Sequence, residues 1–448
     1  MLLVVFLYKN LMKVVMLLKL FGTMKVNNNV LEIGGCNALD LAKDFGTPLY
    51  VVDEQLVRDT CRIYKDNFVL EGIETEVVYA SKAFQNIGMC KLIAEEGLGL
   101  DVVSGGELYT ALKAGFNPSK IYMHGNNKTR EELTMALEHG VGTIVIDNEQ
   151  ETDLIEELCE SLGKKVNAIL RVNPGIEAHT HEYIQTTKND SKFGESIHDE
   201  KIFSFISRLK DSSHINFKGF HCHIGSQIHQ EESFYLGATI MLEFLNKIEE
   251  TCGFVTKELN LGGGFGIYYS EEDTPMDMTA FLKELLVNIK NKCDELNIEV
   301  PKIIIEPGRS IISNAGTTLY NVGGTKSTYG GRDYIFVDGG MGDNPRPALY
   351  SAVYEASIAN KMNDDSTELY TIAGKCCESG DIVIKDIKLP KAEAGDIVAV
   401  ASTGAYNYSM ASNYNRIGRP AVVFVKDGSS RIVVKRETYE DLIKNDIM

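Results

Sequence analysis

The sequence is short of positive charge. Its 45 Lys and Arg face 63 Asp and Glu, which gives a formal net charge of −18. Sequence-independent nucleic-acid binding needs clustered basic side chains to neutralise phosphates, and an anionic membrane surface makes a similar demand. Neither is expected as a partner. Proline, at 10, and glycine, at 40, are too few for a collagen-like or low-complexity chain. The nine cysteines are odd in number, contain no CxxC and lack zinc-ribbon spacing, so no metal site is expected. Scattered thiols of this kind fit a reducing compartment, and a cytoplasmic location is expected. No run reaches the roughly 18–20 uninterrupted apolar residues of a membrane span.

The N-terminus stands apart. Residues 1–22 are apolar, with lysine the only charged residue type. In a signal peptide the positive residues precede the apolar stretch, but here eight apolar residues come first. Met24 opens an ordinary polar start, MKVNNNVLEIGG. The expectation is that Met24 is the true start and that 1–23 is a mis-assigned or non-family extension. An amphipathic membrane-touching extension and a secretory signal are the alternatives.

What remains is an ordinary globular composition, 44% hydrophobic and 24% charged over 448 residues. That length suits two or three domains, or one large barrel with a smaller partner. From Tyr50 to about Ile311, β-rich runs at 77–80, 101–104, 121–124, 143–147, 168–172, 217–224, 258–262 and 302–306 alternate with helical periodicity, as at 130–139, 152–162, 234–252 and 279–296. Such alternation indicates a parallel sheet covered by helices. Eight strands favour a closed (β/α)8 barrel of TIM type over an open doubly wound sheet, and no GxGxxG follows the first strand. After about residue 312 the pattern turns to short β runs and a hairpin around Asp427-Gly428, which predicts a C-terminal antiparallel β-sandwich or barrel. The expected division is 24–53 as a segment joining the β domain, 54–311 as the barrel and 312–448 as the β domain.

A barrel active site is built at the C-terminal ends of its strands, and the unusual residues fall there. Lys82 follows the first strand, Ser104-Gly105-Gly106-Glu107 the second and His124-Gly125-Asn126 the third. Asp147-Asn148, Arg171 with Asn173-Pro174, and His221, His223 and Ser226 follow the next three. Gly262-Gly263-Gly264 and Glu306-Pro307-Gly308-Arg309 complete the ring. A glycine tract after a strand is either a plain tight turn or a place where backbone N–H groups approach phosphate. In a barrel the last two loops commonly hold phosphate, and Gly308 and Arg309 reinforce that reading. A lone lysine at a strand end is usually a solvated loop residue, but beside a phosphate cradle it fits a Schiff-base role with pyridoxal phosphate. Glu306 then suits the pyridine nitrogen, since an acidic partner favours its protonated state. His223 is placed to stack on the ring, and His221 is either a satisfied core residue or part of the same site.

These motifs resemble the fold type III pyridoxal-phosphate-dependent decarboxylases, from about Gly46 to Asp441. Tyr79-Ala80-Ser81-Lys82-Ala83 resembles the family's Schiff-base segment, and His221-Cys222-His223-Ile224-Gly225-Ser226 the segment whose second histidine stacks on the ring and whose serine contacts phosphate. Leu261 to Gly266 and Glu306 to Arg309 resemble the phosphate and pyridine-nitrogen motifs. The resemblance also implies a catalytic role for Cys377, in Cys377-Glu378-Ser379-Gly380-Asp381, reaching the other active site of a homodimer. It implies Tyr406 as a contact to phosphate and substrate, and Arg346 and Tyr350 as substrate-binding residues. Two departures are present: Thr186 is followed by Thr187 where glycine is frequent, and Cys376 stands where relatives often have histidine.

Charge sets the expected substrate. Diaminopimelate has a distal carboxylate that calls for arginine, Arg309 or Arg346, and a distal ammonium that suits Glu378. Relatives acting on ornithine or arginine have no distal carboxylate to bind and typically carry Asp at the position of Glu378. The expected reaction is decarboxylation of meso-diaminopimelate to lysine, with carboxynorspermidine or another basic amino acid as the rival substrate. An alanine racemase places arginine at the pyridine nitrogen, against Glu306. A non-catalytic homologue tends to lose the lysine or cysteine, and both Lys82 and Cys377 are present.

Overall fold

The computed structural model describes residues 18–175 and 191–447. Thr186 and Thr187, and residues 1–17 of the N-terminal extension, lie outside the described residues. The chain divides into two compact units, one of Leu56–Asn314 with Gly404–Ser409 and one of the remaining segments. Residues 404–409, assigned from sequence to the β domain, therefore pack with the first of these.

That unit is a closed barrel. Its strands are β1 (Thr75–Ala80), β2 (Gly99–Val102), β3 (Ile121–Met123), β4 (Thr143–Ile146), β5 (Val166–Asn173), β6 (Ile215–His221), β7 (Glu258–Asn260) and β8 (Lys302–Ile305). Each pairs in parallel with its successor in the chain. The ring closes where β8 pairs with β1, Ile303 opposite Thr75. Alternate side chains point inward, and Val78, Tyr122, Val145, Ile169 and Ile304 form one buried cluster. Every strand end therefore faces the same mouth, which is why residues far apart in sequence converge there.

Several barrel helices begin at a side-chain cap. Arg130–His139 opens on a reciprocal Thr129–Glu132 capping box and closes at Gly140 with φ 71°. The helix expected over 152–162 starts earlier, at Glu149, because the Asn148 side chain accepts from the Glu151 N–H. Its first turn is too polar to announce itself by hydrophobic periodicity. One ion pair is sealed beneath the mouth. Lys128 Nζ lies 2.5 Å from Glu151 Oε1 and donates to the carbonyls of Gly125 and Val145 at 2.8 and 2.6 Å. Burial pushes the lysine down and the carboxyl up, so each ion depends on the other.

The second unit is built on one large sheet, ordered Ile382–Leu389, Glu368–Ala373, Asp333–Val337, Gly316–Ser327, Leu49–Asp53, Ala421–Lys426 and Ser429–Val434, with Ile397–Val400 also paired to Gly316–Ser327. It is mixed rather than purely antiparallel. Asp333–Val337 runs parallel to Glu368–Ala373, and Leu49–Asp53 parallel to Ala421–Lys426. Neither pair is joined by a hairpin, so the antiparallel constraint of a short turn does not apply. Leu49, Val51, Leu319, Val423 and Val425 share a core with Leu18, Met24, Leu31 and Ile33. Thr23 donates from its N–H and Oγ to Asp53 at 2.8 and 2.7 Å, so the last residues before Met24 are built into this unit.

Removing one partner of a buried ion pair leaves an uncompensated charge and typically costs about 3–5 kcal/mol. Lys128→Met is therefore expected to lower the urea midpoint of the barrel unit substantially. A midpoint equal to the parent's would show that the pair contributes nothing.

Candidate active site

Four strand ends meet on one carboxylate. Glu306, just past β8, is 6% exposed. Its Oε1 lies 2.8 Å from His124 Nε2 and accepts from Asn260 Nδ2 at 2.7 Å, and its Oε2 lies 3.1 Å from His221 Nε2. The two imidazoles pack edge to face with centroids 4.7 Å apart. Burial alone would raise the Glu306 carboxyl, but the charges of and hydrogen bonds from His124 and His221 outweigh it and hold the group well below the usual carboxylate range. Burial pushes His221 down to about 4, so its ring is neutral at pH 7 and donates from Nε2. Its Nδ1 has no hydrogen-bond partner among the described residues.

Asp101, past the middle of β2, shows the opposite behaviour. Burial first, and then the charge of Glu306, raise it to about 6 against the opposing pull of His124, Lys82 and Arg171. Its Oδ1 has no hydrogen-bond partner among the described residues. Lys82 sits in the 3-10 turn Ser81–Ala83 at the end of β1, with its side chain open. Its charge acts on Asp101, Glu107 and His223. Glu107 is raised to about 7, chiefly by burial.

His223 is fixed by the glycine tract. Its Nδ1 accepts the Gly263 N–H at 3.1 Å, and burial holds the ring neutral. Gly262 has φ 68°, and a Cβ there would lie 2.9 Å from His223 Nδ1. A Cβ on Gly263 would overlap the Glu306 carbonyl, and one on Gly264 would lie 2.5 Å from the Gly225 carbonyl. Gly308 likewise lets the β8 end approach the lysine turn, since its Cβ would lie 2.9 Å from that of Ala80.

Arg309 forms the other pole of the site. It is 6% exposed and donates from Nη1 to Tyr269 Oη at 2.7 Å and from Nη2 to Ser226 Oγ at 2.9 Å. Its guanidinium lies 4.7 Å from the Tyr406 ring centroid. Tyr406 has φ 62°, a left-handed conformation that costs a tyrosine about 1–3 kcal/mol. Its N–H is tied to the Ala83 carbonyl at 2.8 Å.

The barrel unit thus gathers Lys82, His223, Ser226, Gly263, Gly264, Glu306, Gly308, Arg309 and Tyr406. Sequence reasoning gave no role to Asp101, Asn260 or His124, although His124 was visible at a strand end. Arg346, Tyr350, Cys377 and Glu378 belong to the other unit. There Arg346 donates from Nε to Tyr354 Oη at 3.0 Å, with its guanidinium 5.4 Å from the Tyr350 ring centroid. Of the adjacent thiols, Cys376 is buried and pushed up to about 11 by burial and the neighbouring Asp381, whereas Cys377 is exposed.

Residues 54–313 match the family described as pyridoxal-dependent decarboxylase, pyridoxal binding domain. The chain belongs to that family. It is 52% identical over 429 residues to the diaminopimelate decarboxylase of Bacillus subtilis, covering 96% of this chain and 98% of the relative. It is 49% identical to that of Staphylococcus aureus, covering 95% and 99%. The crystal structure of diaminopimelate decarboxylase from M. jannaschii in co-complex with L-lysine matches with a TM-score of 0.89 at 35% identity, over 95% of this chain and 98% of that one.

The decarboxylase fold's pyridoxal phosphate fits the residues present. Among the described residues Glu306 Oε2 accepts from a single donor, and a carboxylate oxygen has room for a second. A ring nitrogen can use that place, while Arg309 and Ser226 offer cationic and hydroxyl contacts suited to a phosphate. Lys82 is the residue whose amine could join it.

The raised pKa of Asp101 has a consequence for stability. Between about 3.9, the value of an unfolded aspartate, and about 6 in the native site, the native chain retains a proton that the unfolded chain has released. Stability therefore falls as pH rises through that window. Asp101→Asn removes this loss, so in urea unfolding of the apoprotein it should gain on the parent from pH 4 to pH 6 and keep the gain at pH 7. A difference independent of pH would contradict the raised value.

Proposed function

We infer that this decarboxylase converts meso-2,6-diaminopimelate to L-lysine and carbon dioxide, the last step of lysine biosynthesis. The observation that carries the reading is identity of about half, over nearly full length, to diaminopimelate decarboxylases. The presence of both Arg346 and Glu378 agrees with it. Pyridoxal phosphate, when bound, supplies an electrophilic carbon for amine exchange and a conjugated ring that takes up the electrons released with the departing carboxylate.

The chain's own residues supply the rest. Lys82 would hold the cofactor through its side-chain amine. His223, neutral and oriented by the Gly263 N–H, would pack against the cofactor ring. Glu306 keeps the ring nitrogen protonated, because a carboxylate held ionised favours a cation beside it. Ser226, Gly263, Gly264, Gly308, Arg309 and Tyr406 hold the phosphate end, with Arg309 and Tyr406 also facing substrate. Arg346 pairs with the distal carboxylate, Tyr350 flanks it, and Glu378 receives the distal ammonium. Cys377 delivers the proton that replaces carbon dioxide at the α-carbon. In this reading the enzyme is a cytoplasmic homodimer, and Cys377 of the partner subunit completes each site.

Holoenzyme incubated separately with meso-diaminopimelate, ornithine, arginine and carboxynorspermidine tests the substrate. Carbon dioxide and lysine from diaminopimelate alone are expected, and release from another compound would overturn the assignments of Arg346 and Glu378. Cys377→Ala is expected to keep the cofactor's absorbance yet lose at least about a hundredfold in kcat, the lower range for a positioned acid. Undiminished lysine production would remove Cys377 from the reaction. Borohydride treatment should fix the cofactor covalently to the parent and not to Lys82→Ala.

A further inference from the structure

Asp381 lies four residues beyond Cys377 and is 3% exposed. No ion pair reaches it among the described residues. It is instead wrapped by backbone. Its Oδ1 accepts the Met341 N–H at 2.6 Å and its Oδ2 the Cys376 N–H at 2.7 Å. Those two N–H groups come from different loops, one leading into Arg346 and the other into Cys377. The same loops are joined by the Lys375 N–H on the Gly339 carbonyl at 2.9 Å, and the Asp381 carbonyl accepts the Gly374 N–H at 2.9 Å. The wrap is tight enough that a Cβ on Gly340 or Gly374 would overlap the carboxylate itself. A buried ion would ordinarily be costly, and hydrogen bonds from backbone N–H groups are what offset that cost.

We propose that Asp381 is a positioning residue that locks the Cys376–Cys377 loop to the Gly339–Met341 loop, and so sets the Cys377 thiol and the Arg346 guanidinium in one fixed arrangement. The inference rests on the roles given above to Cys377 and Arg346, and it adds the group that holds them together. Neither Asp381 nor its two glycines touches substrate or cofactor in this account. The carboxylate acts through two backbone segments, which explains why glycine stands at 340 and 374.

Asp381→Asn keeps the shape but offers one acceptor oxygen where two N–H groups need one each, so one loop must release. Holoenzyme of this variant should bind cofactor with the parent's absorbance, while kcat falls and KM for diaminopimelate rises, together lowering kcat/KM by about ten- to a hundredfold. Added to Cys377→Ala, the same substitution should change kcat by less than about threefold, because residues acting as a unit are not additive. Independent losses in the two backgrounds, or kcat and KM within twofold of the parent, would overturn the proposal. A second readout does not depend on turnover. Alkylation of the holoenzyme with iodoacetamide, mapped by peptide mass, should label Cys377 but not Cys376 in the parent, and both in Asp381→Asn. Unchanged protection of Cys376 would also overturn it. If Cys377→Ala retained full turnover, the catalytic reading of Cys377 would fail, while the labelling would still decide the role of Asp381. Should Asp381→Asn not fold, Gly374→Ala keeps the charge, crowds the carboxylate and is expected to give the same two readouts.

Discussion

An ionised carboxylate at the mouth of a parallel barrel is unfavourable unless its oxygens are bonded, and the site is organised around meeting that condition at Glu306. His124, His221 and Asn260 reach it from β3, β6 and β7. Each is delivered by a strand end, so the requirement is met by the barrel's geometry rather than by any local motif. Removing the anion would leave two buried imidazoles and an amide without their acceptor, a larger disturbance than the loss of a single hydrogen bond. The charge that suits a pyridinium is thus also what holds four strands in agreement at the mouth.

Two buried carboxyls in one site are driven in opposite directions. Glu306 is surrounded by donors and stays ionised; Asp101 has an oxygen with no partner among the described residues and is raised to about 6. The low dielectric is common to both, so the charges of and hydrogen bonds from the two histidines decide the difference. Environments that push two titratable groups apart divide acid from base without any change of residue type. Here that division gives the mouth one carboxylate held ionised at Glu306 and one titrating carboxyl, Asp101, within the field of Lys82.

Much of this was legible in the sequence because a parallel barrel converts strand ends into a site. The alternation of β runs and helices predicted the barrel, and the residues at the ends of those runs included nearly all that gather there. What stayed hidden depended on tertiary contact. Asn260 looks like any asparagine before a glycine tract, and only the approach of β7 to β8 makes it a partner of Glu306. The polar first turn at Glu149 hid a helix start that Asn148 caps. The parallel pairing of Leu49–Asp53 with Ala421–Lys426 joins segments more than 350 residues apart, and no turn signal marks such a pair. Residues 404–409 read as part of a β-rich region, yet Tyr406 is held by the Ala83 carbonyl in the barrel unit.

The vicinal thiols show most directly why sequence chemistry stops short of assigning roles. Cys376 and Cys377 are the same side chain one position apart, and resemblance alone chose between them. Folding separates them by burial: one turns inward against the Asp381 carboxylate and is held protonated, and the other faces out. An anion beside a thiol opposes thiolate formation, so the inward sulfur is a poor nucleophile and a poor proton donor alike. The outward one lies on the same loop, which the carboxylate ties down through the Met341 and Cys376 N–H groups. The difference between the two thiols is therefore a property of how the loop folds rather than of the cysteines themselves.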